Sequence, residues 1–244
     1  MLLKLTHPAL LSKAIELVSE LVTEVRLKVN EFGMSISAMD PANVTMVGFK
    51  IPRSAFAEFE TGAEELGINL DDFKRILKRC GAGSSLTLTK EENMLKILIQ
   101  DRIKRNFSLN LVEIDSEDID FTSKVANMEF SAGVEISSID LIASIEDSSV
   151  VADACAFVVK DGKFIVEAKS MNSARTEFSD EANISGENCK SRYSLEYLQK
   201  FMKGAKLCDK TILKFAEDHP LKIDFRMPNM EISFVLAPRV ETED

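Results

Sequence analysis

The side chains able to do chemistry are few, and their spacing does not suit it. Histidine occurs twice, at His7 and His219, far apart in the chain. Four cysteines, Cys80, Cys155, Cys189 and Cys208, stand alone without the C-x-x-C spacing of a zinc or redox motif. No G-x-S-x-G elbow presents a serine nucleophile. Gly62-Ala63-Glu64-Glu65-Leu66-Gly67 has the glycine spacing of a phosphate loop, but Ile68 and Asn69 follow where Lys and Ser/Thr are required. Its two acids would repel a phosphate. Gly81-Ala82-Gly83 reads more simply as a helix stop before a strand. Carboxylates such as Asp40 and Asp101 are abundant but scattered, and no pair stands out as general acid and base. Neither a metal nor a cofactor is expected, and a binding or scaffold protein is favoured over an enzyme.

The charge balance agrees with an acidic binding protein. Thirty Lys and Arg face 40 Asp and Glu among 244 residues, for a formal net charge of −10. Hydrophobic residues at 45% and charged residues at 29% exclude disorder, collagen and coiled coil. No apolar run approaches the roughly 18 residues that span a bilayer. The opening MLLKLTHPALL lacks a basic region followed by a cleavage site, so no signal peptide is expected. The isolated cysteines suit a reducing compartment. A soluble intracellular protein follows as the expectation.

The elements that must position these residues are mostly strands. Val25-Arg26-Leu27-Lys28-Val29, Leu86 to Thr89, Phe107 to Leu111 and Leu221 to Phe225 alternate apolar and polar residues, the pattern of sheets with one covered face. Four helices are predicted: Pro8 to Val22, Asn69 to Cys80, Ser138 to Asp147 and Ser194 to Lys203. Asn69 serves as an N-cap, and Gly204 as a C-terminal stop. Their order repeats. The strand–turn–strand around Gly33 recurs at Ala156 to Val166, and Leu70 to Lys78 matches Leu195 to Lys203, an offset of roughly 125 to 130 residues. The predicted fold is α+β: two similar domains, 1–113 and 128–244, each an antiparallel sheet with two helices on one face. An acidic connector, 114–127, joins them, and its bland reading is a solvated linker.

Three segments carry a family resemblance over essentially the whole chain. Ala38-Met39-Asp40-Pro41-Ala42-Asn43-Val44 resembles the S/A-M-D-x-x-x-V loop of the sliding clamps of the proliferating cell nuclear antigen family. Its Asp-Pro is more like archaeal members. Gly67-Ile68-Asn69-Leu70 through Ile76-Leu77-Lys78 is similar to the family's V-N-L…K-I-L-K helix, and Leu236-Ala237-Pro238-Arg239-Val240 to its L-A-P-K/R tail. The resemblance implies a DNA clamp fold assembled as a homotrimeric ring, sheets outside and helices lining a hole around duplex DNA. Such a clamp holds DNA polymerase, flap endonuclease and ligase through short peptide motifs. An ATP-driven clamp loader opens it. The compartment implied is the archaeal cytoplasm, or the nucleus in a eukaryote, with no membrane partner.

The resemblance also implies roles for individual residues. Lys13, Arg75, Lys78, Arg79 and Lys203 would face DNA; three of them sit in last turns, where cations also stabilise a helix dipole. Met39, Val44, Met46, Ile119, Phe121, Pro220, Val235, Leu236, Ala237 and Pro238 match the partner-peptide pocket. Ile119 and Phe121 stand among acids, so both are expected to be exposed. Subunits would meet head to tail through two edges, one carrying Arg102, Lys104 and Arg105, the other Glu177, Asp180 and Glu181. The segment Ser138 to Asp147 departs from the family, having no Lys or Arg and an acid at Glu146. Two rivals stay open: one subunit of a heterotrimeric clamp, and an enzyme using Asp40 and Asp101.

Overall fold

A computed structural model describes residues 1–178 and 182–239. Asp180 and Glu181 of the acidic edge, and Val240 of the tail motif, lie outside the described residues. Two compact units form. The first holds Met1–Pro41, Val47–Phe121 and Pro228–Glu231; the second holds Ala42–Met46, Thr122–Met227 and the segment from Ile232.

The first unit contains β1 (Leu2–Leu5), α1 (Ala9–Val18), β2 (Glu24–Asn30), β3 (Gly33–Met39), most of β4 (Thr45–Pro52), β5 (Glu58–Glu60), β6 (Glu64–Asn69), α2 (Leu70–Leu77), β7 (Ser85–Glu91), β8 (Met94–Gln100) and β9 (Lys104–Asn110). Its strands run in the orders β5-β1-β7-β8-β9 and β6-β2-β3-β4. Alternation decides the faces: Val25, Leu27 and Val29 of β2 are buried, while Arg26 and Lys28 point away from the core. Asn69 caps α2 as expected, its side-chain oxygen accepting from the Asp71 and Asp72 amides.

A short helix, α3 (Phe121–Ala126), leads into the second unit, which adds β10 (Ala132–Ser137), α4 (Ser138–Val151), β11 (Ala154–Lys160), β12 (Lys163–Lys169), β13 (Ser173–Phe178), β14 (Asn183–Gly186), β15 (Cys189–Ser194), α5 (Leu195–Ala205), β16 (Lys210–Phe215), β17 (Leu221–Met227) and most of β18 (Met230–Leu236). The orders β14-β10-β16-β17-β18 and β15-β11-β12-β13 reproduce those of the first unit strand for strand. The duplication read from the sequence is therefore a duplication of topology. In each unit the two long helices pack on one another.

Four details differ from the sequence reading. Each unit has two groups of strands, not one sheet, and in the second unit α4 packs across both, on β11 to β13 and also on β10 and β16. Helix α1 ends at Val18, and the apolar pattern continues to Val22 because tight turns keep Leu21 and Val22 buried. Helix α4 runs to Val151, and the Ser144, Ser148 and Ser149 hydroxyls are satisfied by donating to carbonyls of its own preceding turns. Gly204 lies buried inside α5 without a left-handed backbone, so it does not stop the helix.

Candidate functional site

Apolar positions of the helices set which side chains face outward. In α2, Leu70, Phe73 and Leu77 are buried, leaving Arg75, Lys78 and Arg79 exposed. Lys13 on α1 and Lys203 on α5 are exposed likewise. Carboxylates accompany these cations. Arg75 pairs with Asp72 and donates to the Asp71 carbonyl; Lys78 reaches Glu16 of α1 at 2.6 Å. Lys74 holds Asp71 at 2.8 Å, and that hydrogen bond lowers the Asp71 carboxyl below its usual range. Exposed pairs of this kind hold their partners only weakly. Helix α4 is unlike the others: Ile139 and Val150 are 73% and 83% exposed, Glu146 and Asp147 lie beside them, and it has no cation.

Both predicted edges are real edges, β9 in the first unit and β13 in the second. Their charges are less simple than the sequence suggested. Arg102 and Lys104 are exposed, but Arg105 is on the opposite side of β9 from Lys104 and turns inward. There its guanidinium pairs with Asp101 and donates to the Arg79 carbonyl at 2.9 Å, so it is a structural residue of the first unit. Asp101 is lowered below its usual range first by the Ile103 amide and also by Arg105. Glu177 is held by Lys163 at 2.5 Å and Arg175 at 3.0 Å, Lys163 being the main cause of its lowered carboxyl. Ile103, 62% exposed at the start of β9, adds an apolar group the sequence reading passed over.

The pocket residues divide between the units. In the first, Met39 and Ile119 are half-buried. Phe121 is only 5% exposed, which corrects the expectation of an exposed anchor. Its ring fills the place a Cβ would take at Gly48, 2.6 Å from Cδ1, so β4 provides a slot that the local acidic sequence does not reveal. In the second unit, Val44, Pro220, Ala237 and Pro238 are half-buried, whereas Met46, Val235 and Leu236 are core residues. The Ala237 amide donates to the Val44 carbonyl at 2.9 Å, and the Thr45 hydroxyl to the Val235 carbonyl at 2.9 Å. The Arg239 amide bonds the Arg192 carbonyl at 2.7 Å, and its guanidinium Asp153 at 2.8 Å, holding the tail in place.

The connector is strapped down, not a free linker. The Val112 amide donates to the Gly67 carbonyl at 2.9 Å, where a Cβ would stand 1.9 Å from the Val112 oxygen, so only glycine fits. Arg26 donates to the carbonyls of Ile114 and Ser116, and Lys28 pairs with Asp118. The alternation of β2 was visible in the sequence; what its outward cations touch was not.

Among the described residues, no group of three His, Cys, Asp or Glu is arranged to hold a metal. Asp40 is buried, and Asp101 is engaged by Arg105 and the Ile103 amide. No helix of the described residues is long and apolar enough to cross a membrane.

Comparison with known proteins accounts for nearly the whole chain. Residues 1–121 match the model of the proliferating cell nuclear antigen N-terminal domain, and residues 113–240 that of its C-terminal domain. A protein of Thermococcus onnurineus named DNA polymerase sliding clamp is 33% identical over 232 residues, covering 91% of this chain and 92% of that protein. One of the same name from Pyrococcus abyssi is 32% identical over 239 residues, 94% of each. Among solved structures, the proliferating cellular nuclear antigen of Entamoeba histolytica superposes with a TM-score of 0.90 over 98% of both chains, at 23% identity. A chain of the PCNA2-PCNA3 complex from Sulfolobus tokodaii gives 0.87 at 27% identity, covering 99% of this chain and all of that one. The chain belongs to the proliferating cell nuclear antigen family, the DNA sliding clamps.

Proposed function

We propose that this chain is the subunit of a DNA sliding clamp, three copies closing head to tail into a ring around duplex DNA. The observation that supports this most is the full-length match to both halves of the family, carried on a duplicated topology with a helix pair in each unit. Processivity then comes from topology: a closed ring slides along the duplex but cannot leave it sideways, and the clamp itself makes or breaks no bond. Lys13, Arg75, Lys78, Arg79 and Lys203 give a phosphate attraction that ignores sequence, as sliding requires. Client enzymes, polymerase, flap endonuclease and ligase among them, and the clamp loader dock through hydrophobic-aromatic peptides. The surfaces that take these are the connector with Met39 in the first unit, and Val44, Pro220, Ala237 and Pro238 in the second. The place of work is the compartment holding the genome, the cytoplasm in an archaeal cell.

The test is the mass in solution by light scattering, followed by loader-dependent retention on circular and linear DNA. A trimer, about three times 27.2 kDa, retained on circles and lost from linear ends, is expected. A monomer that binds both DNAs equally overturns it. A second reading, one member of a heteromeric ring, is favoured by the cation-free outward face of α4. It predicts a chain that stays monomeric alone and closes only with a partner subunit.

A further inference from the structure

The outward cations of β2 occupy an unexpected position: they face not solvent but the connector that the proposed function makes a docking segment. Arg26 is the centre. Its side chain is only 17% exposed, its Nε lies 3.0 Å from Glu65 of β6, and its Nη2 serves two backbone carbonyls, Ile114 and Ser116 at 2.5 Å for the latter. Lys28, two residues along the same face, pairs with Asp118. Together with the Val112 amide on Gly67, these make successive anchors along residues 112–118. Residues 111–120 form no helix or strand of their own, so side chains from β2 supply the order that a ladder would otherwise provide. Arg26 is suited to this because its planar guanidinium serves Glu65 through Nε and both carbonyls through Nη2 at the same time.

The geometry has a consequence for binding. With the Ile114 and Ser116 carbonyls drawn toward β2, Asp115 between them and Glu117 just after them are exposed. A connector already held in one path does not have to be ordered when a peptide arrives, and that ordering is a substantial part of the cost of association. We infer that Arg26, with Lys28, is a positioning residue for client binding, one that presets the connector without itself touching the client. This rests on the peptide-docking reading of the connector given above.

The experiment uses the full chain and two readouts. Cleavage after Glu113 and Glu117 by a glutamate-specific protease, read by mass spectrometry, reports the strap, and fluorescence anisotropy of a labelled synthetic peptide carrying one Leu and two Phe reports docking. Arg26→Ala is expected to speed cleavage in that segment and to weaken the peptide by about tenfold, with the urea midpoint of the whole chain little moved. Lys28→Ala should give a smaller effect of the same kind. Arg26→Lys loses the Nε bond to Glu65 but can still donate to both carbonyls from its one ammonium nitrogen, so it should keep more of the protection and of the affinity than Arg26→Ala. Lys90→Ala breaks an ion pair of similar exposure, Lys90 to Glu64 at 2.7 Å, away from the connector, and should change neither readout. If the unaltered chain binds the peptide and Arg26→Ala binds it equally well, the positioning role is wrong. If Arg26→Lys is cleaved as fast and binds as weakly as Arg26→Ala, donation to the two carbonyls is not what sets the connector, and the inference fails in that form. If the unaltered chain does not bind the peptide at all, the docking reading itself falls, and this role falls with it.

Discussion

Gly48 and Phe121 make a pair whose coupling has a definite sign. The ring of Phe121 sits where a side chain on Gly48 would be: a Cβ there would lie 2.6, 2.7 and 3.0 Å from three ring carbons. Real Cβ contacts do not come so close, so Gly48→Ala must displace the ring. Returning a buried phenyl group to water costs roughly 1.5–3 kcal/mol. Phe121→Ala removes the ring and leaves a void, at about 3 kcal/mol, the low end for aromatic truncation because the segment is short and able to settle. Once the ring is gone, Gly48→Ala has nothing to strike. Gly48 lies in β4 without a positive φ, and Ala in such a position is favoured over Gly by about 0.5–1 kcal/mol. The substitution should therefore destabilise the unaltered chain and stabilise Phe121→Ala, a reversal of sign. Urea unfolding of the four chains of this double-mutant cycle measures it. If Gly48→Ala costs the same in both backgrounds, Phe121 does not occupy the slot in solution.

Other predictions concern the surfaces. Arg102→Glu with Lys104→Glu should shift the oligomer toward smaller species at low protein concentration in sedimentation, because these are the outward cations of the β9 edge; an unchanged mass refutes that edge as an interface. Glu146→Lys should lengthen retention on circular DNA and steepen its salt dependence, while Arg75→Ala with Lys78→Ala should do the reverse; no change in either places DNA elsewhere. The lowered carboxyl of Glu177 makes its ion pairs with Lys163 and Arg175 stabilising above the ordinary value of 4.5, and that contribution is lost as pH falls through the lower folded value. Glu177→Gln should accordingly give a shallower fall of the urea midpoint on acidification than the unaltered chain, and an equal fall would contradict the pairing.

Local chemistry in the chain was enough for the alternating strands, for the four longer helices to within about a turn, and for their repetition. Alternation at Val25 to Val29 is a property of neighbouring residues, and burying every second side chain is the only way that segment can form a half-covered strand. The cap at Asn69 is just as local, its oxygen reaching amides two and three residues on. Two copies of one pattern can then only give two copies of one topology, which is why the duplication was legible before any coordinates.

What the sequence could not decide are meetings between residues far apart along it. Phe121 reads as exposed because its neighbours are acids, yet its fate depends on an absent side chain at Gly48, seventy-odd residues away. Arg105 reads as an edge charge, but the Arg79 carbonyl at the end of α2 takes it inward. The connector reads as a linker because it has no period of its own; Arg26 and Lys28, almost ninety residues earlier, give it a path. Composition and periodicity report how a residue suits its own strand or helix. Which backbone or side chain stands opposite is set by chain closure over long loops, so only the tertiary structure determines whether a cation meets solvent, a phosphate or a carbonyl.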